Sequence, residues 1–270
     1  MEFKELGKTG VMLPEVGLGT WLYEGGEEPL RTGVRLGAYH IDTAEMYGTE
    51  GIVGRAVRDI REQVFIGTKL LSNHLRHDDV LRAAEDSLKR LNTSWIDLYQ
   101  IHFPNPRVPI KETMKAMEQL VDEKVVRYLG VSNFSRSELE QACGAMRNHP
   151  IVANQVMYNL KKRAIETELI PFCERYDITI MAHTPLADGS IAINSDSNLS
   201  LGFQVLEQVA LEADRTPAQI ALAWCIAHTN VITIPKSNTE KRIMENCAAS
   251  GWKLSKNQMS RLNDAFPQVQ

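Results

Sequence analysis

Short apolar runs alternate with amphipathic segments from one end of this chain to the other, which restricts it to repeated strand and helix units. The strand candidates are "EVGLG", "YHID", "VFIGTK", "IDLYQIH", "RYLGVS", "VANQV", "ITIMAH" and "VITIP", eight in all. The intervening segments carry helix start signals. Thr216-Pro217-Ala218-Gln219 reads as an N-cap, a proline at the first helical position and a capping-box partner, and Ser135 with Glu138 has the same spacing. Val80, Leu81, Ala84, Leu88 and Leu91 form an apolar stripe at helical period, suited to packing on a sheet. Eight such units predict an α/β fold, a (β/α)8 TIM barrel, although periodicity alone also admits an open doubly wound sheet. "FKELGKTGVMLP" predicts an N-terminal β-hairpin turning at Lys8 to Gly10.

At 270 residues the chain suits one barrel domain spanning 1–270, and no linker, composition break or short repeat divides it. The residues are 43% hydrophobic and 24% charged, which excludes a disordered chain. A net charge of −4 gives no long-range attraction to nucleic acid or to an anionic membrane. Cys143, Cys173, Cys225 and Cys247 are widely spaced and make no CxxC pair, so they read as reduced, buried thiols of a cytoplasmic protein. The opening "MEFKELGKTG" lacks the apolar core of a signal peptide, and "IALAWCIA" at 220–227 is too short to span a bilayer. The irregular stretch at 187–200, "ADGSIAINSDSNLS", reads as a loop after the seventh strand, either functional or a tolerated surface insertion.

Catalytic groups of such barrels stand at the carboxyl ends of the strands. There the sequence places Asp42 and Tyr47, then Lys69, His102, Ser132 with Asn133, Gln155, His183, and Lys236 with Ser237. Taken singly, Asp42 reads as a turn residue, Lys69 as a solvated end, and His102 and Tyr47 as core side chains with one polar atom satisfied. In a barrel all four converge. A nearby ammonium favours the phenolate, so Lys69 is expected to lower the pKa of Tyr47, with Asp42 orienting Lys69 and His102 hydrogen-bonding a substrate oxygen. The result is an acid for an oxyanion. The chain has no nucleophile motif, P-loop or GxGxxG, and a nicotinamide hydride would complete a carbonyl reduction.

Together, "GLGTW" (17–21), "IDTAEMYG" (41–48), "GTKL" (67–70), "DLYQIHFP" (97–104), "GVSNF" (130–134), "NQVMYN" (154–159) and "IPKSNTEKRIMEN" (234–246) resemble the aldo-keto reductases along nearly the whole chain. The resemblance implies carbonyl reduction with NADPH, no metal, and a catalytic tetrad of Asp42, Tyr47, Lys69 and His102. It further implies cofactor contacts from Gly19, Thr20, Pro185 and Leu186. Ser132, Asn133 and Gln155 match the residues that hold the nicotinamide carboxamide. Lys236, Ser237 and Arg242 match the group around the adenosine 2′-phosphate, and Glu245 and Asn246 match contacts to adenine. Trp21 and Phe103, with Tyr47 and His102, would face the substrate. Two cations beside a helix N-terminus also make physical sense as an anion site in an acidic chain, which favours NADPH over NADH.

The chain departs from the family where "MAHTPL" puts His183 in place of a common tyrosine under the nicotinamide, and where Phe103 replaces a frequent tryptophan. With a short segment after the final helix, these changes predict an open pocket and broad substrate range. Two other readings stay open: a lyase or isomerase forming a Schiff base on Lys69, and an NADPH-binding redox sensor or scaffold with little turnover. Metal sites at His40 with Asp42, or at His74 with His77, are rejected because a third ligand is lacking in one case and the setting is a solvated surface in the other. The expected partner is a small carbonyl compound. The oligomeric state is open, and a monomer fits all of these readings.

Overall fold

The structure is a computed structural model and describes residues 1–191 and 200–268. The first two strands, β1 (Phe3–Glu5) and β2 (Met12–Pro14), pair antiparallel with Phe3 opposite Pro14, as the hairpin reading expects. Eight parallel strands follow: β3 (Leu18–Gly19), β4 (His40–Asp42), β5 (Phe65–Leu70), β6 (Ile96–Ile101), β7 (Val126–Ser132), β8 (Ile151–Met157), β9 (Thr179–His183) and β10 (Val231–Thr233). Each coincides with a strand read from the sequence. They lie side by side in chain order, and parallel bridges from Val16 to Thr233 and from Gly19 to Lys236 join the two edges. Closure rather than an open sheet is the outcome. It demands a close approach, for a Cβ on Gly19 would sit 2.5 Å from the carbonyl oxygen of Ile234.

The helices among the described residues are α1 (Glu28–Arg35), α2 (Glu50–Val57), α3 (His77–Leu91), α4 (Ile110–Asp122), α5 (Arg136–Ala145), α6 (Leu169–Arg175), α7 (Leu201–Ala213), α8 (Pro217–Cys225), α9 (Glu240–Cys247) and α10 (Lys256–Ala265). The expected capping boxes stand at α5 and α8, where Ser135 and Thr216 accept from the backbone N–H of Glu138 and Gln219. On α3, Val80, Ala84 and Leu91 are buried, and Leu81 and Leu88 pack half-buried against the same core. That core lies between the helices and the sheet.

A second, smaller apolar cluster joins Leu6 and Leu13 of the hairpin to Phe65, Leu98, Val152, Met181 and Ile232 of the barrel strands. The hairpin is pinned by Lys4, whose ammonium donates to the carbonyl oxygens of Ile226, His228 and Val231 at 2.5, 2.7 and 2.7 Å. It therefore covers the amino-terminal end of the barrel, leaving the carboxyl ends of the strands open. All four cysteines are free. Cys173, Cys225 and Cys247 are buried and Cys143 is half-buried. No helix among the described residues is long and apolar enough to cross a membrane.

Candidate active site

Asp42 ends β4, in register with Gly19 on one side and Gly67 on the other. A 3₁₀ turn at Glu45–Tyr47 follows, closed by Gly48 at φ 68°, a left-handed conformation that glycine adopts without a Cβ penalty. Glu45 fixes this turn to the end of β5 by accepting from the N–H of Leu71 at 3.0 Å, and its carboxylate also lies 3.0 Å from Nδ1 of His74. Tyr47 is thus delivered over Lys69. The Lys69 ammonium, fully buried, donates to Asp42 Oδ1 at 2.5 Å, to the carbonyl oxygen of Thr43 at 2.8 Å and to the Tyr47 hydroxyl at 3.4 Å. All three of its hydrogens are engaged.

His102, just past β6, brings Nε2 to 3.5 Å from the Tyr47 hydroxyl, with the two rings edge to face. The phenol therefore stands between an ammonium and an imidazole. Asp42 is held from behind, since Oδ2 accepts from Gln155 at 2.7 Å and from Gln100 at 3.4 Å. Ser132 donates to the carbonyl oxygen of Gln155 at 2.9 Å, and Asn133 donates to Ser132 Oγ and to the carbonyl oxygen of His102, each at 3.0 Å. Asn133 has φ 61°.

A cavity of about 710 Å³ opens above these groups. Every catalytic, cofactor or substrate residue that the resemblance implies lines it except Lys69, which lies behind the wall: Asp42, Tyr47 and His102 at the floor, then Ser132, Asn133, Gln155 and His183, and beyond them Lys236, Ser237, Arg242, Glu245 and Asn246. Gly19, Thr20, Pro185 and Leu186 complete the sides. Trp21 packs 4.9 Å from the Tyr47 ring, and Phe103 stacks on His102 at 4.8 Å. Sequence reasoning missed Leu22, Met46 and Met157, apolar lining residues with no chemical signature, and Gln100, a polar residue inside an apolar strand run. The irregular loop read at 187–200 begins with a turn at Ala187–Gly189 that also lines the cavity, while residues 192–199 lie outside the described residues.

A sequence model of the Aldo/keto reductase family matches residues 15–266. The chain belongs to this family. It is 35% identical to the methylglyoxal reductase YeaE of Escherichia coli, over 95% of this chain and 92% of that one. Among solved structures, a thermostable aldo-keto reductase in complex with the inhibitor epalrestat superposes with a TM-score of 0.91 at 41% identity, covering 98% of this chain and all of that one. An aldo/keto reductase from Klebsiella pneumoniae in complex with NADP and acetate gives 0.90 at 34% identity, covering 99% and 96%.

The electrostatics of this aldo-keto reductase site differ in one respect from the sequence expectation. Lys69 does pull the Tyr47 pKa down, but burial outweighs it and the net shift is upward from 10. Tyr47 is thus a protonated phenol at neutral pH. Burial and the Lys69 charge push His102 down to about 4, and the same two causes push His183 down to about 4. Both rings are neutral at pH 7. His40, rejected above as a metal ligand, is buried with Nδ1 3.4 Å from the carbonyl oxygen of Phe65.

The far end of the cavity fits an anionic cofactor. Lys236 and Arg242 are exposed, and among the described residues no carboxylate pairs with either. They flank the start of α9, whose N-cap Thr239 accepts from the N–H of Arg242. Nearer the floor, Gln155 lines the cavity, with one amide hydrogen on Asp42 and Oε1 bonded to no described group. Such an edge can meet a carboxamide.

Proposed function

We propose that this protein reduces small, uncharged aldehydes and ketones to alcohols with NADPH. One observation carries the reading: the Tyr47 hydroxyl lies between Lys69 at 3.4 Å and His102 at 3.5 Å, on the floor of a cavity whose other end holds two cations, Lys236 and Arg242, with no carboxylate partner among the described residues. NADPH, when bound, supplies a hydride to the carbonyl carbon. Lys236, Ser237 and Arg242 would hold its 2′-phosphate, and Ser132, Asn133 and Gln155 its carboxamide. Tyr47 gives its proton to the carbonyl oxygen, and Lys69 stabilises the phenolate left behind. Asp42, held by Gln155 and Gln100, keeps Lys69 in place. His102, neutral, orients the oxygen with Nε2–H.

The substrate class follows from the rim. Trp21, Leu22, Met46, Phe103 and Met157 are 42% to 65% exposed, and among the described residues the only lysine or arginine side chains lining the cavity are Lys236 and Arg242 at the opposite end. A carboxylate on the substrate would find no counter-charge there. The name of the E. coli relative supports a small dicarbonyl such as methylglyoxal, and a nitrobenzaldehyde suits the aromatic rim equally well. A Schiff base on Lys69 is disfavoured, because its ammonium is fully buried and its hydrogens are engaged. Free thiols suit a reducing compartment such as the cytoplasm.

The test is loss of NADPH absorbance on adding methylglyoxal or a nitrobenzaldehyde, with pyruvate as the charged control. Tyr47→Phe should lower kcat by about 10² to 10⁴-fold and leave NADPH affinity unchanged. Turnover retained in Tyr47→Phe would remove the proton-donor role, and silence of the wild-type protein across a carbonyl panel would favour a binding-only protein.

A further inference from the structure

His183 ends β9 and stands half-buried in the cavity wall, 50 residues along the chain from the side chain it meets. We propose that His183 is a positioning residue: through Nε2–H it fixes the amide of Asn133, and with it the frame that carries His102 and the cofactor-facing edge of β7 and β8. The inference rests on the carbonyl reduction proposed above.

The hydrogen-bond geometry sets the direction of each bond. Asn133 Nδ2 lies 3.0 Å from the carbonyl oxygen of His102, which can only accept, and 3.0 Å from Ser132 Oγ, whose own hydrogen goes to the carbonyl oxygen of Gln155 at 2.9 Å. Both amide hydrogens are thereby placed, so the atom facing His183 Nε2 at 3.1 Å is the amide oxygen. Nε2 must then carry the hydrogen. Nδ1, 3.0 Å from Thr184 Oγ1, accepts from that hydroxyl. Burial and Lys69 hold the ring neutral at pH 7, so a single tautomer is specified.

Asn133 at φ 61° and Thr184 at φ 52° both occupy the left-handed region, which asparagine tolerates but a β-branched threonine adopts only when its surroundings hold it there. The bonds then run on without a break. From His183 they pass through Asn133 and Ser132 to the main chain of Gln155, whose side chain holds Asp42, and a branch from Asn133 reaches the main chain of His102. Removing the Nε2–H leaves the Asn133 oxygen without its donor, so that only the two bonds from Nδ2 still hold the amide. Its hold on His102 weakens, although every group that touches the carbonyl oxygen is still present. The smaller face of an imidazole limits what stacking at this position contributes, so the hydrogen bond in its plane is the larger effect.

His183→Phe keeps a flat ring and removes the donor, while His183→Gln keeps an amide donor and removes the ring. We expect His183→Phe to lower kcat about tenfold, the effect of one hydrogen bond, with NADPH affinity changed by less than about threefold. His183→Gln should recover most of kcat. Combined with Asn133→Ala, His183→Phe should add nothing further, because the two share one interaction. In the cofactor-free protein, nitrogen NMR should find the His183 hydrogen on Nε2, and Asn133→Ala should abolish that preference. Wild-type kcat in His183→Phe, equal loss in both variants, a loss confined to NADPH affinity, additive effects in the double variant, or a hydrogen on Nδ1 would each overturn the proposal. Should the wild-type protein not oxidise NADPH at all, the carbonyl-reduction reading falls, and the tautomer measurement still decides whether His183 orients Asn133.

Discussion

The two ends of the cavity are built on opposite plans. At the floor, Asp42 and Lys69 are almost wholly buried, and each is bonded to several neighbours before any ligand arrives. At the far end, Lys236 and Arg242 are exposed, with no carboxylate partner among the described residues. A group that must stay in one place through a reaction is fixed by folding, because reorganisation during the chemistry would raise the barrier. A group that captures an anion is left incomplete, so that the ligand supplies the missing charge. The floor should therefore couple to stability and rate, and the far end to affinity alone.

The sharpest way to break this contrast is Lys69→Met. Asp42 would be left buried, with only amide donors in place of an ammonium, at a cost of about 3–5 kcal/mol of stability. Turnover should fall by about 10² to 10⁴-fold as well, since Tyr47 loses its cation. Urea unfolding and steady-state rates measure both. Lys236→Ala and Arg242→Ala should each leave stability within about 0.5 kcal/mol of the wild type. Comparable destabilisation at the two ends would dissolve the distinction.

A smaller effect isolates the far end. Arg242→Ala should weaken NADPH by about 10 to 100-fold, the contribution of a charge-assisted hydrogen bond, and change NADH affinity by less than about twofold. Raising the ionic strength should mimic the variant in direction, because Arg242 is exposed and its charge is screened by salt. Fluorescence titration with both nucleotides reads this directly. Equal weakening of NADPH and NADH would remove the 2′-phosphate role.

Most of the frame was legible in the sequence for a physical reason: parallel strands buried on both faces write themselves as short apolar runs, and all eight were found. The polar residues at their ends were legible by the same logic, since Asp42, His102 and His183 each interrupt an apolar run at its carboxyl end. A third capping box, Ser255 with Gln258 at the start of α10, carries the same sequence signal as those at Ser135 and Thr216. Gln100 also had a signal, an amide within "DLYQIH", but its role depends on the neighbouring strand register that brings it to Asp42. The bond from His183 to Asn133 has no sequence signature, because β7 and β9 meet these side chains across β8. The upward shift of Tyr47, opposite to the sequence expectation, has no sequence signature for a related reason. A nearby cation can be placed from topology, whereas desolvation depends on how completely Trp21, His102 and the surrounding loops cover the phenol, and that is a property of packing.

The mildest test uses pH to separate stability from rate at the floor itself. His102 and His183 have folded-state pKa values of about 4 against an ordinary 6.5, and burial lowers His40 in the same direction. Below about 6.5 the unfolded chain takes up protons that the folded protein refuses until about 4, so the contribution of these neutral rings is complete above 6.5 and is lost as pH falls towards 4. The urea midpoint should therefore drop between pH 7 and pH 5. Over the same interval kcat should stay level, because His102 remains neutral and Tyr47, raised above 10, remains protonated. NADPH affinity should begin to decline near pH 6, where a phosphate monoester loses its second charge and Lys236 and Arg242 have less to bind. A step in kcat near 6.5 would mean that His102 titrates as an exposed imidazole does, and the floor would then be open to water rather than fixed and dry.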